Sequence, residues 1–366
     1  MKRKRKSNVK RRVRTDRIFF VGFLIIFMVC FLPFALKKKP AVSEAEKTDP
    51  AAIQTDAPFT VEDKPGIRLR YSYQPPQGID YTVIGADAVV LYDKTSGEVL
   101  FSKNPQKHLY PASMTKVLTA CVALRYMDPE TELTVGSELD LLKPESSLAY
   151  LVKDTKITLK DALYGLLLPS GNDAAYTIAV NTARKVSNNP NMPNMDAVKY
   201  FAGLMNDEAL DAGAEDSHFV VPDGYYDPDH YTTPEDMLKI AIRSAQYPLI
   251  AEIGSHAEYE VTTSTGQNYS WENGNALIIP DDEYFLSFVT GLKTGFFDEA
   301  GYCMVATASQ NGHDLISVIM KAPSAEVRYK DAAKLFWSVY DPGNAHSFKT
   351  EANAEPDVTG AVQYED

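Results

Sequence analysis

The chain has 366 residues, 45% hydrophobic and 23% charged, with a formal charge of −12; that is enough apolar material for a full core and too much charge for a polytopic membrane protein. Residues 1–39 hold thirteen Lys and Arg against the single acid Asp16, so the rest of the chain carries all of the negative balance. An acidic body repels phosphates, which excludes nucleic acid as a partner of the folded part.

From Ile18 to Leu36 no residue is charged. Nineteen helical residues at about 1.5 Å each nearly match a hydrocarbon core of roughly 30 Å. Ten Lys and Arg precede this run and three follow it, so the positive-inside rule sets the basic segment 1–17 in the cytoplasm and the body outside. The run is longer than a signal-peptide core, and Phe34-Ala35-Leu36-Lys37 is a poor cleavage site, which favours a single-pass anchor in the cell membrane over residues 18–36. Residues 37–78 have the Pro, Ala, Asp, Glu and Thr content of a disordered spacer, and 341–366 that of an acidic tail.

The intervening part, 79–340, opens on strands. A period-2 run from Val83 to Tyr92, a polar turn over 93–97 and a second run from Glu98 to Ser102 read as a hairpin. Pro111-Ala112-Ser113 ahead of Met114, Val117, Leu118, Cys121, Val122 and Leu124 predicts the first long helix. The same spacing predicts helices over Leu159–Leu168, Asp173–Lys185, Met195–Ala212 and Pro234–Ala245. Strand-like runs follow at Tyr259–Thr263, Phe285–Leu292, Tyr302–Ala308 and Leu315–Ala322, then a closing helix over Ala325–Tyr340. Strands and helices are segregated, which favours an α+β fold with an antiparallel sheet flanked by helices. Cys121 and Cys303 lie in apolar stretches and read as buried free thiols.

Three short patterns carry chemistry in chain order: Ser113-Met114-Thr115-Lys116, Ser170-Gly171-Asn172 and Lys293-Thr294-Gly295. Ser7-Asn8-Val9-Lys10 and Ser187-Asn188-Asn189 match the first two by chance; context separates the chosen set. Ser113 begins a helix and Lys116 follows one turn later on the same face, a nucleophile beside a base at a helix N-terminus. A lysine works as a base only when neutral, which requires burial or a neighbouring cation such as Lys293. Thr294 adds a hydroxyl, and Gly295, lacking Cβ, lets a substrate lie against the strand edge as an added strand. Ser170 and Asn172, at a turn into a helix, are placed to relay a proton and hold a substrate amide.

With their flanks, YPASMTKVLTA, LLLPSGNDAA, DPDHYTTPEDM and GLKTGFFDEAGYCMVATA, these motifs resemble the serine-type D-alanyl-D-alanine carboxypeptidases, the low-molecular-mass penicillin-binding proteins, from about Ile79 to Tyr340. The resemblance implies a fold like that of penicillin-binding proteins and serine β-lactamases, with a helical subdomain. It implies removal of the terminal D-Ala from peptidoglycan stem peptides, β-lactams as covalent inhibitors, and no cofactor or metal. It also implies that Ser113 is acylated, that Lys116 is its general base, and that Ser170 passes a proton to the leaving D-alanine. Asn172 would position the peptide, Lys293 and Thr294 would bind its carboxylate, and the backbone N–H groups of Ser113 and Phe296 would form the oxyanion hole. His230 and Thr232 read as structural supports.

Other readings fit less well. No E-x-x-L-N stretch lies between the second and third motifs, as the commonest β-lactamases have; the six histidines are scattered, without H-E-x-x-H; and G-x-S-x-G is absent. A D,D-endopeptidase acting on cross-links, or a membrane-tethered penicillin sensor, would share the motifs, although seventeen cytoplasmic residues give a sensor no signalling domain.

Overall fold

The computed structural model describes residues 66–72 and 81–342; the apolar run 18–36, most of the spacer and nearly all of the tail lie outside the described residues. Among the described residues no helix is long and apolar enough to cross a membrane.

The central sheet takes strands β1 (Arg70–Tyr71), β2 (Ala88–Asp93), β3 (Glu98–Lys103), β8 (Val289–Phe297), β9 (Gly301–Gln310) and β10 (His313–Ala322) in the order β1-β3-β2-β10-β9-β8. Every pairing is antiparallel except β1 with β3. Two short pairs complete the strands: β4 (Glu132–Thr134) with β5 (Lys156–Thr158), and β6 (Glu258–Thr262) with β7 (Asn268–Glu272).

Side chains alternate across a strand, so β2 feeds two cores. Ala88, Val90 and Tyr92 point into the larger one, beneath the helices, while Val89 and Leu91 point into a second one. That second core is closed by Ala332, Leu335 and Phe336 of the last helix, α7 (Ala325–Tyr340). Both faces are covered, so β2 is buried at every position rather than alternating as the period-2 reading expects.

The larger core is roofed by α1 (Thr115–Tyr126), α2 (Leu159–Leu167), α3 (Asn172–Val186), α4 (Asn194–Asp211), α5 (Pro234–Ser244) and α6 (Pro248–Gly254). Local chemistry fixes several starts: Thr158 caps α2 by accepting from the Asp161 N–H, Thr233 caps α5 ahead of Pro234, and Ser324 caps α7. The fold is α+β, as the segregation of elements predicts, and Cys121 and Cys303 are buried free thiols.

Four differences from the sequence reading are physical. The strand expected over Phe285–Leu292 is β8 at Val289–Phe297; the apolar run before it makes a turn in which Phe288 packs edge-on against Phe336, Trp337 and Tyr340 of α7. β7 was hidden in the polar stretch Asn268–Glu272, where only Tyr269 and Trp271 are buried. The seven-residue α6 has no counterpart in the reading. The stretch read as spacer reaches the fold at its end, where β1 pairs with β3, the Ile67 N–H donates to Ala212 O at 3.0 Å, and Arg70 Nη2 donates to Ser96 O at 2.6 Å.

Candidate active site

The three motifs meet at the edge strand β8. Pro111 leads a single helical turn, Ala112–Met114, that runs on into α1, so Ser113 lies at the start of a helix as its flanks predict. An N–H in the first turn of a helix has no partner within it. Ala112 has φ +49°, a left-handed conformation unusual for a residue with a Cβ.

The turn is held from two sides. A Cβ on Gly295 would lie 2.9 Å from Ser113 N and 3.1 Å from Ala112 Cβ, so only glycine lets β8 come this close. On the other side a Cβ on Gly224, itself at φ +77°, would stand 2.0 Å from Ala112 O.

Lys116 is completely buried and donates three hydrogen bonds, to Ser113 Oγ at 2.9 Å, Asn172 Oδ1 at 2.8 Å and Asp223 O at 2.7 Å. Burial pushes its pKa down to about 8, against the opposing pull of the Asp223 and Asp173 carboxylates. Asn172 opens α3, its N–H donating to Ser147 O, and Asp173 beside it accepts the N–H groups of Ala149 and Leu151. Ser170, half-buried, precedes them at φ +63°, and its hydroxyl has no hydrogen-bond partner among the described residues.

Lys293 is also buried, with Nζ donating to Thr294 O at 3.0 Å. Its pKa is driven well below the usual lysine value, first by burial and then by the charges of Lys116 and Arg328. The close approach of Gly295 to Ser113 N is what brings the first and third motifs together. Thr294 is half-buried, and Phe296 is exposed, stacked on Tyr302 with ring centroids 4.3 Å apart.

His230 and Thr232 support the nucleophile turn. His230 Nδ1 accepts from the Val220 N–H at 3.1 Å, which leaves Nε2 carrying the proton toward Thr115 Oγ1, 2.8 Å away. Burial depresses its pKa to about 3, so the ring is neutral. The backbone of Thr232 exchanges two hydrogen bonds with Leu109, just upstream of the turn.

The sequence reading missed Asp223, Gly224 and Arg328. The first two act through the main chain, and only the -Asp-Gly- pair, a turn signal, marked the place. Arg328 is a buried cation in α7 whose guanidinium reaches the carbonyls of Gly295 and Cys303 and donates to Tyr329 Oη at 2.8 Å. The chance match Ser187-Asn188-Asn189 lies at the far end of α3, where Ser187 Oγ donates to Ala183 O.

Comparison with known proteins agrees with this geometry. The profile of the D-alanyl-D-alanine carboxypeptidase family matches residues 74–324. The chain is 29% identical to a D-alanyl-D-alanine carboxypeptidase of Streptomyces sp. (strain K15), over 71% of this chain and 89% of that protein. It is 30% identical to the carboxypeptidase DacA of Haemophilus influenzae, over 78% of this chain and 68% of that protein. The crystal structure of the Streptomyces K15 DD-transpeptidase superposes with a TM-score of 0.64 at 29% identity, covering 70% of this chain and 97% of that one. The ampicillin-bound penicillin-binding protein D2 of Listeria monocytogenes does so with 0.56 at 26% identity, covering 70% and 98%. The chain belongs to the D-alanyl-D-alanine carboxypeptidase family and is a serine peptidase.

Proposed function

We propose that the protein removes the terminal D-alanine from peptidoglycan stem peptides through an acyl-enzyme on Ser113. The observation that carries this reading is the 2.9 Å hydrogen bond between a completely buried Lys116 and the Ser113 hydroxyl, a nucleophile and base already in contact.

The peptide lies along the outer edge of β8, with its carboxylate at Lys293 and Thr294 and an amide held by Asn172. That carboxylate favours a proton on Lys293, and the positive charge so placed makes Lys116 give up its own. Neutral Lys116 takes the proton of Ser113 as Oγ attacks the carbonyl carbon of the penultimate D-Ala. The N–H groups of Ser113 and Phe296 hold the oxyanion. The C–N bond breaks, the proton passes through Ser170 to the leaving amine, and D-alanine departs. Water then attacks the ester, again with Lys116 as base, and restores Ser113.

The strained ring of a β-lactam would acylate the same serine. The chain is similar both to a Streptomyces carboxypeptidase and to a Streptomyces DD-transpeptidase; the two reactions share an acyl-enzyme and differ in whether water or an amine accepts it. We assign residues 18–36 as a membrane anchor with the catalytic part, from about 79 to 340, outside the cell. The segment from 37 to about 65 serves as a tether, its continuation joining the sheet as β1, and 341–366 serves as a tail.

Incubation of the full chain in detergent with a diacyl-L-Lys-D-Ala-D-Ala peptide tests the activity. D-alanine should be released, and the Ser113→Ala protein should release none and take no covalent penicillin. Labelling that persists at another serine would overturn the assignment.

A further inference from the structure

Lys116 is buried with three acceptors, and all of them are neutral: the Ser113 hydroxyl, the Asn172 amide oxygen and the Asp223 carbonyl. Two further buried cations, Lys293 and Arg328, lie close by. A buried ammonium without an opposite charge is costly, and like charges beside it raise that cost. Lys116 acquires such a charge each time it takes the Ser113 proton, so the site needs a fixed anion.

Two carboxylates can supply it. Asp173, beside Asn172 on α3, is already committed to the backbone: its Oδ1 accepts the N–H groups of Ala149 and Ala174, and its Oδ2 that of Leu151. Asp223 is 1% exposed, and its Oδ1 accepts the Tyr225 N–H at 3.1 Å. The carbonyl of the same residue is 2.7 Å from Lys116 Nζ, so covalent geometry keeps the carboxyl carbon within about 7 Å of that nitrogen. Both groups are buried, where little solvent screens them. Tyr176, one turn beyond Asn172 on α3, and Lys143, in the loop before β5, complete the surroundings. Burial and then the Asp223 charge hold the Tyr176 phenol above its ordinary pKa. Burial also raises the pKa of Asp223, against the pull of Lys116, the Tyr225 N–H and Lys143. Of the carboxylates acting on Lys116, Asp223 comes first and Asp173 second.

We propose that Asp223 is a positioning residue whose carboxylate is the fixed counter-charge of Lys116, steadying the ammonium that forms when the Ser113 proton moves to Nζ and Oγ bonds to the substrate carbonyl carbon. The proposal rests on the acyl-enzyme reading above. As the C–N bond breaks, the proton goes on to the departing nitrogen, so the carboxylate itself gains and loses nothing. Its work is electrostatic, and it differs from that of the Asp223 carbonyl, which holds the amine in place whatever the side chain.

The test measures the rate of covalent penicillin acylation of the full chain in detergent between about pH 5 and 10, for the wild type and for Asp223→Asn, which keeps the shape and the acceptor for the Tyr225 N–H but removes the charge. The penicillin carboxylate is ionised throughout that range. Loss of the anion favours neutral Lys116, so the acid limb of the profile should move to lower pH by about one pH unit or more. The plateau should fall about three- to tenfold, because a weaker base draws less on the hydroxyl proton. Damage to the fold would lower the rate at every pH and leave the midpoint of the limb in place. Asp223→Ser, smaller and still able to accept from Tyr225, gives the same reading if the amide is not accommodated. A midpoint that is unmoved, or that moves upward, in a folded variant would overturn the counter-charge alone. Wild-type protein that takes no label at any pH removes the acyl-enzyme reading beneath it.

Discussion

Lys116 and Lys293 are buried in the same cleft, and their surroundings differ in the number of acceptors. Lys116 has three oxygens within 2.9 Å, while Lys293 has one carbonyl and two cationic neighbours, Lys116 and Arg328. Burial disfavours the charge on both; the oxygens around Lys116 offset it and the cations around Lys293 add to it. The nucleophile region is therefore built to hold a proton that it can release near neutral pH. The β8 region is built to wait for an anion.

The largest effect that would break this contrast is on catalysis. Lys116→Ala should lower acylation by about 10²–10⁴-fold, the usual worth of a positioned base, seen as a fall in kcat. Lys293→Ala should raise KM and, because its charge helps Lys116 lose a proton, lower kcat by less than Lys116→Ala does. Equal kcat losses measured by D-alanine release would mean that the two lysines share one role.

Next is the backbone that holds the turn. Gly224→Ala puts a Cβ within 2.0 Å of Ala112 O and should displace Ser113, costing about 10²-fold in penicillin acylation rate. Gly266→Ala, also at positive φ but with open space around it, should leave acylation within about twofold of wild type while sharing the general cost of a left-handed alanine.

Stability sharpens the comparison further. Lys293→Met removes a buried amine with a single hydrogen-bond acceptor and should raise stability, read as a higher Tm. Lys116→Met strands three acceptors and should give no such gain. The smallest effect is with pH. Because the pKa of Lys116 is depressed from 10.5 to about 8, the unfolded chain binds more protons than the folded one between those values. Stability contributed by this group therefore rises with pH across that window and is lowest below it. In the Lys116→Met protein that part of the pH slope should vanish from denaturant melts. The wild-type kcat/KM should rise as pH passes about 8, if the free enzyme carries the base.

How much of this was legible from sequence follows from which atoms act. Ser113, Lys116, Asn172 and Lys293 are proposed to act through side chains at fixed spacings, and the Lys116 hydrogen bonds join the first three in the structure. The closing helix, Ala325–Tyr340, was bounded correctly because its apolar spacing and its Ser324 cap agree. The Asp223 carbonyl and the Gly224 contact were not legible, since a carbonyl has no letter and a missing Cβ acquires meaning only from what stands beside it. β8 was placed too early because Phe285–Phe288 is more apolar than the strand itself, whose Lys293-Thr294-Gly295 serves the site at the expense of β-propensity.

The hydrogen bond from Lys116 to the Asp223 carbonyl joins positions 107 apart, and the cleft is closed by a strand that begins only at Val289. No chain that stops short of β8 contains the whole constellation. A polypeptide still emerging from the ribosome has a serine and a lysine but neither the clamp nor the edge until β8 has been made. Reactivity toward its substrate is thus a property acquired late in biosynthesis, and covalent penicillin uptake followed over time in a pulse-labelled culture would report when the cleft is assembled.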